Sequence, residues 1–549
     1  MGAMSEHADG LPDAKRARVQ NTAEHEKETA AAPPPPPVSV PRSISHADLR
    51  QEVINTCLAM NELGINQGTS GNVSVRVPVG NGFLLTASGV SYDTMALDQV
   101  VFVSLEEGTY GSYLPSSEWR MHLDIYKRIP EAMAVVHAHP THCTALAAAR
   151  RGVPAFHYMV ADAGASEIPC AEYASFGTQE LSDAMLKVMR PARSVLLANH
   201  GMVCYGASLR EALWVACETE CSARAYVLAL STGVPPVLLP AEEMAVMVER
   251  LDSVRKRVDT PRRDAPSVPL AIMRQKEQVV QMCKTMVAQR LSMGISGSAS
   301  CRVEGGFVIS PIGIPLEKLT ATDIEFVEMG SSGSDTGVVR AASEWRLHRA
   351  IYAAAPDADA IIHSRAACST ALSTQRRPMP SFHYMVGVAG GKVIPCAEYA
   401  AFDSDRLAAN MLESMCRREE DGSLPPEMSF DPDVVGRRFA AKPNPDMKKA
   451  ALLANHGMVC WHVNPSKTLW LANEVECRAR EYVSMLSARL QPVILDDAEM
   501  DIMLAKFATY GKPQPKSGEK DTLTPFQRTH AITAPRFVAP IHCPCCAPP

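Results

Sequence analysis

The pattern of apolar and polar positions is most informative between residues 114 and 142. An apolar run, Ala132 to Val136, is bounded by turn residues and therefore predicts a β-strand. His137 and His139 follow this run. Because side chains two positions apart in a strand point to the same side, both imidazoles are expected to project together. Such a pair can hold a metal ion, commonly zinc, although two exposed histidines at a strand end would give the same pattern.

Two further segments supply candidate partners for this pair. The run Ser194 to Asn199 predicts a second buried strand that leads into His200, where Gly201 is expected to allow a sharp turn. A predicted helix, Glu118 to Arg128, follows two serines. Three neutral nitrogen ligands and one open position are typical of a catalytic zinc site. Glu118 is then either a fourth ligand or the acid/base beside the metal.

The motifs around these positions resemble the class II aldolase/adducin family, and within it the L-fuculose-phosphate aldolase branch. The segments that carry the resemblance are GTSGNVSVR, PSSEWRMH, VVHAHPTHCTAL, FHYMVADAG, IPCAEYASFGT and LLANHGMV. The glutamate precedes HAH, as it does in the aldolases of that family, and the resemblance covers nearly all of residues 45 to 250. It implies an α/β fold, a three-layer α/β/α sandwich around a central, mostly antiparallel sheet.

The resemblance also implies roles for individual residues. A Zn²⁺ ion would be held by His137, His139 and His200, and Glu118 would move the proton at the nucleophilic carbon. Tyr158 matches the tyrosine that gives a proton to the aldehyde oxygen, although a packed core aromatic is the alternative. Neutral donors of a Gly/Ser turn can bind an anion without Lys or Arg. The positions that match the family's phosphate-binding residues are Asn72, Ser88, Gly89, Ser116 and Ser117.

The activity that the resemblance implies is zinc-dependent retro-aldol cleavage of a ketose 1-phosphate. One alternative is a sugar-phosphate 4-epimerase of the same fold. Another is an adducin-like protein, in which this fold is a non-catalytic interaction module linked to actin and spectrin. The intact glutamate and three histidines favour the enzyme. The C-terminal tail does so too, because it is short and ends in HCPCCAPP rather than in a basic, Lys-rich segment.

The chain repeats itself in its second half. SSEWRMH recurs as ASEWRLH, FHYMVADAG as FHYMVGVAG, and LLANHGMVC without change. Glu118 and Glu344 lie 226 positions apart, as do Tyr158 and Tyr384, whereas His200 and His456 lie 256 apart. The second copy therefore carries about 30 additional residues, near Arg417 to Lys448. A repeat of this kind predicts two tandem domains. The polar, proline-bearing composition of the tails and the linker sets the boundaries. The predicted segments are a disordered tail (1–44), the intact domain (45–255), a linker (256–269), a degenerate domain (270–510) and a second disordered tail (511–549).

The second copy departs from the first where the chemistry is expected. HAH becomes His363-Ser364-Arg365, and arginine has no lone pair to give to a metal. We therefore expect one zinc per chain, in the first copy, and we expect Arg365 to pair with Glu344. Three of the expected phosphate-binding side chains also differ in the second copy, where Ser298 stands for Asn72, Ile312 for Ser88 and Ala342 for Ser116.

Composition excludes several other classes of protein. The chain has 549 residues, 46% of them hydrophobic, and a net charge of -6, which gives no reason to expect nucleic-acid or membrane binding. No apolar run approaches the length of a membrane span, and no signal peptide is visible. The 16 cysteines lack the spacing of a disulfide framework, which favours reduced thiols and a cytoplasmic location.

The duplication also bears on assembly. The family's aldolases are fourfold rings with their sites between subunits. Two chains of this protein would supply four domains, so we expect a homodimer that forms a pseudo-fourfold ring with alternating copies. The second copy would then provide a wall of the first copy's site. The remaining expected partner is a small-molecule sugar phosphate.

Overall fold

The computed structural model describes residues 46–106, 113–258, 270–330, 341–417 and 447–509. Both predicted tails and nearly all of the inserted segment near Arg417 to Lys448 lie outside these residues. Residues 259–269 of the predicted linker also lie outside them. The helix that precedes the linker ends at Val258, three residues beyond the predicted domain boundary at 255.

Two seven-stranded sheets are present in the described residues, one in each repeat. The strands of the first sheet, β1 to β7, are Asn72–Arg76, Gly82–Thr86, Val100–Ser104, Ala134–Ala138, Cys170–Ala171, Ser194–Leu197 and Gly201–Gly206. Those of the second, β8 to β14, are Ser298–Val303, Gly306–Ile309, Glu325–Glu328, Ala360–Ser364, Cys396–Ala397, Ala450–Leu453 and Gly457–His462.

Each repeat also contributes six α-helices to the described residues. Helices α1 to α6 of the first repeat are Ala47–Glu62, Trp119–Arg128, Thr141–Ala148, Gln179–Met189, Leu209–Ser231 and Ala241–Val258. Helices α7 to α12 of the second repeat are Leu270–Ala288, Trp345–Ala354, Ala367–Thr374, Asp405–Cys416, Pro465–Ser487 and Asp497–Thr509. The two copies therefore have the same order of elements.

The strand order is the same in both sheets: β3-β2-β1-β4-β7-β6-β5 in the first and β10-β9-β8-β11-β14-β13-β12 in the second. In the second sheet the neighbouring strands pair antiparallel, except for the short edge strand β12, which runs parallel to β13. β5 runs parallel to β6 in the same way. The predicted α/β class with a mostly antiparallel sheet is confirmed.

Alternation along β11 shows why the second repeat has three layers. Ile361 belongs to a buried cluster with α8 and α10, whereas Ala360 and Ile362 belong to another with α7, α9 and α11. Successive side chains of a strand point to opposite faces, so a strand that is apolar throughout must be covered on both sides. The apolar run that predicted a strand therefore also explains the helices on both faces of the sheet.

The turn between β6 and β7 differs in detail from the prediction. Asn199 adopts the left-handed conformation with φ 55°, and Gly201 is already the first residue of β7. Asparagine tolerates this conformation better than most residues with a Cβ atom. The backbone N–H of Asn199 donates to the carbonyl of Ala147, which fixes the turn against α3. Asn455, the equivalent residue of the second copy, has φ 59°.

The contacts within the chain divide it into two compact units that do not coincide with the repeats. The first unit runs as far as Ala138 and includes Tyr173–Leu186 and Tyr205–Leu213. The second combines His139–Glu172, Lys187–Cys204 and the chain from Trp214 onward. It therefore contains part of the first repeat and the whole of the second, and the contacts between repeats described below lie within it.

Several hydrogen bonds join the two repeats inside the second unit. The side-chain amide of Asn455 donates to the carbonyl of Phe156 at 2.7 Å, and that of Gln375 donates to the Thr232 hydroxyl at 2.7 Å. The Tyr399 hydroxyl donates to Glu243 of α6 at 3.1 Å. Among the described residues, none of the helices is both long and apolar enough to cross a bilayer.

Candidate active site

The structure brings the four metal-binding candidates of the first repeat together. Glu118 immediately precedes α2, His137 lies near the end of β4, His139 follows β4, and His200 precedes β7. One ligand atom from each residue lies within 4.8 Å of the others. Three imidazole nitrogens and one carboxylate oxygen at this spacing suit a tetrahedral zinc ion. The residues present therefore fit the cofactor that the sequence predicts.

Individual contacts define how these side chains are held. Oε2 of Glu118 lies 3.0 Å from Nε2 of His137, and both side chains are almost completely buried. The rings of His139 and His200 approach each other with their centroids 4.9 Å apart. The Glu118–His137 contact and the packing of His139 on His200 thus hold the four side chains of the cluster together.

A chain of hydrogen bonds that starts in β1 and α2 ends on the carboxylate of Glu118 and holds it in place. The amide nitrogen of Asn72 donates to Oε2 of Glu118 at 3.0 Å. The side-chain oxygen of Asn72 lies 2.5 Å from Nε2 of His122, and Nδ1 of His122 lies 2.7 Å from the Ser74 hydroxyl. The Ser74 hydroxyl also lies 2.7 Å from the hydroxyl of Tyr126. We call these four residues, Asn72, His122, Ser74 and Tyr126, the Glu118 relay.

The direction of the Glu118 relay follows from the donors available. Because the Asn72 amide nitrogen donates to the carboxylate, its oxygen must accept from Nε2–H of His122. His122 is then neutral, and Nδ1 accepts from Ser74. Burial, with a smaller contribution from His137, lowers the pKa of His122 to about 3, which keeps the ring neutral at physiological pH. His348 stands at the equivalent position of the second copy.

The predicted phosphate-binding residues lie on two neighbouring loops. An isolated antiparallel bridge joins Ala87 to Pro115, and the backbone N–H of Ser88 donates to the carbonyl of Leu114. Ser88 and Gly89 are therefore held beside the Ser116-Ser117 turn. Ser88, Gly89 and Ser117 are exposed. Gly89 has φ 71°, and among the described residues no atom other than those of its chain neighbours lies within 4 Å of the place where a Cβ would stand, which leaves space beside its backbone for an anion.

Asn72 is placed differently from the other four phosphate candidates. It is buried, and its side-chain oxygen and one N–H are engaged with His122 and Glu118. The second N–H of the amide is its remaining hydrogen-bond donor. The contacts thus give Asn72 a direct role in orienting Glu118, in addition to the phosphate-binding role that the sequence predicts.

Comparison with known proteins agrees with this geometry. The sequence profile of the Class II Aldolase and Adducin N-terminal domain matches residues 51–227 and 277–483, one segment in each repeat. The chain belongs to this family. The two matched segments also establish that the domain is duplicated.

Several relatives with similar sequences are aldolases. The L-fuculose phosphate aldolase of Escherichia coli strain K12 is 42% identical over 211 residues, which are 38% of this chain and 97% of the relative. The 5-methylthioribulose-1-phosphate/5-deoxyribulose-1-phosphate aldolase of Rhodospirillum rubrum is 40% identical over 217 residues, 40% of this chain and 97% of the relative. A solved L-fuculose 1-phosphate aldolase is 38% identical, covers 38% of this chain and 97% of its own, and has a TM-score of 0.36.

The second copy retains the hydrogen bonds among the residues that match Tyr126, Ser74 and His122, but it lacks the final bond to the glutamate. Tyr352, Ser300 and His348 are joined by hydrogen bonds of 2.8 and 2.7 Å, as in the first copy. Nε2 of His348 then meets the Ser298 hydroxyl at 3.0 Å. No hydrogen bond from this short side chain to Glu344 is formed within the described residues. The exchange of Asn72 for Ser298 therefore removes this hydrogen bond to the glutamate, which is bonded instead by Ser343 and Tyr158.

Arg365 does not pair with Glu344 as predicted. Its guanidinium makes a bidentate ion pair with Glu218 of α5, with both N···O distances at 2.9 Å. The prediction was wrong because Glu218 belongs to the other repeat, and sequence patterns do not reveal that this helix reaches the site. Burial raises the pKa of Glu344, and the nearby guanidinium of Arg365 limits that rise.

Tyr158 lies with the residues of the second copy. Its ring packs on His456, with centroids 4.4 Å apart, and on Phe402 at 5.1 Å. Its hydroxyl hydrogen-bonds to Glu344, and burial raises the pKa of the phenol above its usual range. The structure thus places Tyr158 beside residues of the second copy, and its catalytic role stays a prediction. The family motif identifies the tyrosine but not the copy that it serves.

His142, which follows HAH by three residues, has a structural partner. Its Nδ1 lies 2.6 Å from Glu220 of α5, and the same carboxylate accepts the backbone N–H groups of His142 and Cys143. Glu220 thereby satisfies donors in the first turn of α3, as a capping side chain would. Glu476 does the same for the backbone N–H groups of Cys368 and Ser369 in the second copy. Glu220 was not singled out in the sequence.

Proposed function

We propose that the first repeat is a zinc-dependent aldehyde-lyase that cleaves a ketose 1-phosphate by a retro-aldol reaction, and that the second repeat is a non-catalytic copy. The observation that carries this proposal is the cluster of Glu118, His137, His139 and His200. The second copy has Arg365 in the position of His139. The substrate class is supported by the names of the relatives, which act on L-fuculose phosphate and on 5-methylthioribulose 1-phosphate.

His137, His139 and His200 would hold the zinc ion, with Glu118 beside it. When bound, zinc would act as a Lewis acid that stabilises negative charge on the substrate's carbonyl oxygen. Glu118 would transfer the proton at the nucleophilic carbon. Its position supports this role, because the Asn72 amide and His137 hold the carboxylate in one orientation. A positioned carboxylate of this kind contributes typically 10²–10⁴-fold to proton transfer.

The loops that carry Ser88, Gly89, Ser116 and Ser117 would bind the substrate phosphate. The pairing of Ala87 with Pro115 holds the two loops side by side, and Ser88, Gly89 and Ser117 are exposed on them. In the second copy the same backbone pairing is kept by Pro311 and Ala341, but serine hydroxyls are replaced by Ile312 and Ala342. The loss of side-chain donors on a retained backbone supports a ligand-binding role for the first copy's loops.

We further propose that two chains form a ring of four domains, in which each intact site is completed by the second copy of the other chain. Within one chain, Tyr158 packs on Phe402, which is 2% exposed. The equivalent residues are Tyr384 of the second copy and Phe176 of the first, which are 47% and 68% exposed. A second chain would repeat the contact by placing Tyr384 on Phe176.

This arrangement assigns the catalytic tyrosine to the partner chain. Tyr158 approaches Glu344 and His456 of the second copy. By the same contact, Tyr384 of the partner chain would approach the equivalent pair, Glu118 and His200. It would then give a proton to the aldehyde oxygen. The cytoplasmic location expected from the sequence remains a prediction.

Zinc content tests the proposed site without depending on the choice of substrate. Purified protein is expected to carry one zinc per chain, and His139→Ala is expected to lose it, because removing one of three imidazoles opens the site. His363→Ala, the change at the position matching His137 in the second copy, is the control and should retain the metal. Two zinc ions per chain, or zinc that His139→Ala does not reduce, would contradict the proposal.

A further inference from the structure

Contacts between the two repeats of one chain show which groups a second chain would bring to the first copy's site. Within the chain, Glu218 of α5 and Arg365 of the second copy form a bidentate ion pair with both N···O distances at 2.9 Å. Glu474 of α11 lies 256 positions after Glu218, and His139 lies 226 positions before Arg365, so these are the equivalent residues. In the proposed ring, Glu474 of the partner chain would therefore approach His139.

The surfaces that would form this second contact are exposed in the single chain. The side-chain amide of Asn455 donates to the carbonyl of Val237 at 2.9 Å where the repeats meet. The equivalent residues are Asn199 and Val493, and both are exposed, Val493 to 85%. Both halves of the contact are thus present in each chain, and a second copy of the chain supplies the match for each half.

Another pair that joins the repeats is replaced on both sides. Gln375 donates to the Thr232 hydroxyl at 2.7 Å. The equivalent residues are Ala149 and Ala488, so both the donor and the acceptor are absent. Loss of both partners leaves no buried polar group unsatisfied in a contact between chains, whereas loss of one partner would. The two exposed surfaces therefore remain complementary to each other.

The ion pair, in contrast, changes on one side only. Its carboxylate is kept as Glu474, but its guanidinium is replaced by the imidazole of His139. Within the described part of its own chain, Glu474 accepts no hydrogen bond, and Nη2 of Arg478 lies 3.8 Å from its carboxylate, beyond hydrogen-bond distance. The Glu474 side chain is 19% exposed. A second chain would bury it further, and a buried carboxylate requires a hydrogen-bond donor.

The partner's Glu474 would enter the site together with the partner's Tyr384. The proposed ring places Tyr384 beside His200. The ring of His139, which Glu474 would approach, has its centroid 4.9 Å from that of His200. The two partner groups would therefore face adjacent metal-binding residues. Glu474 would then serve the same part of the substrate as Tyr384, the part that becomes the aldehyde, while the first copy's own loops bind the phosphate.

We propose that Glu474 of the partner chain is a substrate-binding residue of the first copy's site, and that its carboxylate accepts a hydrogen bond from the hydroxyl group next to the aldehyde carbon. An imidazole is shorter than the side chain of Arg365, so a carboxylate positioned as Glu218 is would stop short of His139 and leave room for this hydroxyl. The inference rests on the proposed function, and it adds the residue that selects the aldehyde portion of the substrate.

Two ketose 1-phosphates that appear in the names of the relatives differ in this hydroxyl. Retro-aldol cleavage of L-fuculose 1-phosphate releases an aldehyde with a neighbouring hydroxyl group, and cleavage of 5-deoxyribulose 1-phosphate releases one without it. Glu474→Ala should lower the ratio of kcat/KM for the first compound to that for the second at least about tenfold. Glu474→Gln keeps an acceptor oxygen without the charge, so its ratio should fall between those of wild type and Glu474→Ala.

Glu481→Ala is the matched control, because Glu481 lies on the same helix, is exposed and also approaches Arg478. It should keep the wild-type ratio. A wild-type ratio in Glu474→Ala, or an equal fall in both variants, would overturn the inference. A general loss of stability would lower both values of kcat/KM together and would leave their ratio unchanged, so the ratio separates substrate binding from a structural role.

Mixing two variants tests whether Glu474 acts in the other chain. In a hybrid of Glu118→Gln and Glu474→Ala chains, the site with an intact Glu118 would face an intact Glu474. The ratio should therefore rise towards the wild-type value when the two proteins exchange subunits. An unchanged ratio, in a mixture shown to contain hybrids, would overturn the assignment of Glu474 to the partner's site.

Dissociation constants of the same two compounds distinguish this inference from the proposed reaction. If the wild-type protein cleaves neither compound, the proposed reaction fails. A loss of affinity in Glu474→Ala that is at least about tenfold larger for L-fuculose 1-phosphate would still support the inference. Equal losses for both compounds, or no binding of either to the wild-type protein, would overturn it.

Discussion

The side-chain amide of Asn72 donates to Oε2 of Glu118 at 3.0 Å, and Ser298, its equivalent, makes no such bond to Glu344 among the described residues. This difference separates the two copies as clearly as the exchange of a metal ligand does. In the first copy, hydrogen bonds that begin at Tyr126 end on the glutamate. In the second they end on a serine hydroxyl. The duplication therefore provides a natural control for each residue of the site.

Asn72→Ser should lower kcat about tenfold to a hundredfold, because a hydrogen bond to a charged group is worth about 1.5–3 kcal/mol. Zinc content should be unchanged, since Asn72 is not a ligand candidate. Steady-state kinetics distinguish this positioning role from the phosphate-binding role predicted from the sequence. A rise in KM with kcat preserved would favour phosphate binding. Ser298→Ala is the matched change in the second copy and should affect neither constant.

Ser117→Ala should raise KM for the sugar phosphate about tenfold and leave kcat within about twofold, because a neutral donor to the phosphate contributes mainly to binding. Ser117 is exposed, so the change should not disturb folding. Ser343→Ala is the control at the equivalent position of the second copy. If both variants keep the wild-type KM, the loops at Ser88 and Ser117 do not bind the phosphate.

Tyr384→Phe should reduce turnover much more than Tyr158→Phe, because we assign the proton donor to the second copy of the partner chain. Neither change should reduce zinc content. The opposite ranking of the two variants would show that each chain uses its own Tyr158.

Mixing inactive chains tests the same assignment directly. Glu118→Gln chains have an intact Tyr384, and Tyr384→Phe chains have an intact Glu118. Hybrid dimers should contain one complete site, so an equal mixture that exchanges subunits freely should recover about a quarter of the wild-type rate. Failure to recover any activity, in a mixture shown to form hybrid dimers, would exclude a shared site.

Lowering the pH should destabilise the protein through its buried histidines. Burial, with a contribution from His363, lowers the pKa of His348 from 6.5 to about 3. Below pH 6.5 the unfolded chain takes up a proton that the folded chain does not, so stability falls as the pH falls towards 3. This group alone accounts for about 2 kcal/mol between pH 6.5 and 5. His348→Gln should therefore narrow the difference in unfolding temperature between pH 7 and pH 5; an unchanged difference would contradict the assignment.

Much of the site could be predicted because its residues lie next to regular elements. The apolar run before His137 predicts a strand, and the alternation of that strand determines which imidazoles can meet. Asn199 was missed as the turn residue because both Asn and Gly accept left-handed backbone, and the sequence contains both. The repeat spacing gave the equivalences between copies, and these allow each contact in one copy to be compared with the other.

What the sequence could not give is the contact between repeats. Glu218 and Arg365 are separated by 147 residues, and nothing in the local pattern of either relates one to the other. Tyr158 shows the same limit: its motif identifies a catalytic type of residue, but its position is determined by packing on Phe402 and His456. The Glu118 relay was also missed. Asn72 and Ser74 lie two apart on β1, and His122 and Tyr126 lie four apart on α2, but neither spacing shows that this strand and this helix pack together.

The most direct test of the account compares Glu118→Gln with Glu344→Gln in an assay for aldehyde release from ketose 1-phosphates. Glutamine keeps the shape of each side chain but cannot carry the proton at neutral pH. The account predicts that Glu118→Gln loses at least about 10²-fold in turnover with its zinc in place, and that Glu344→Gln keeps near wild-type turnover. Near wild-type turnover in Glu118→Gln, or loss of turnover in Glu344→Gln alone, would contradict a single catalytic site in the first repeat.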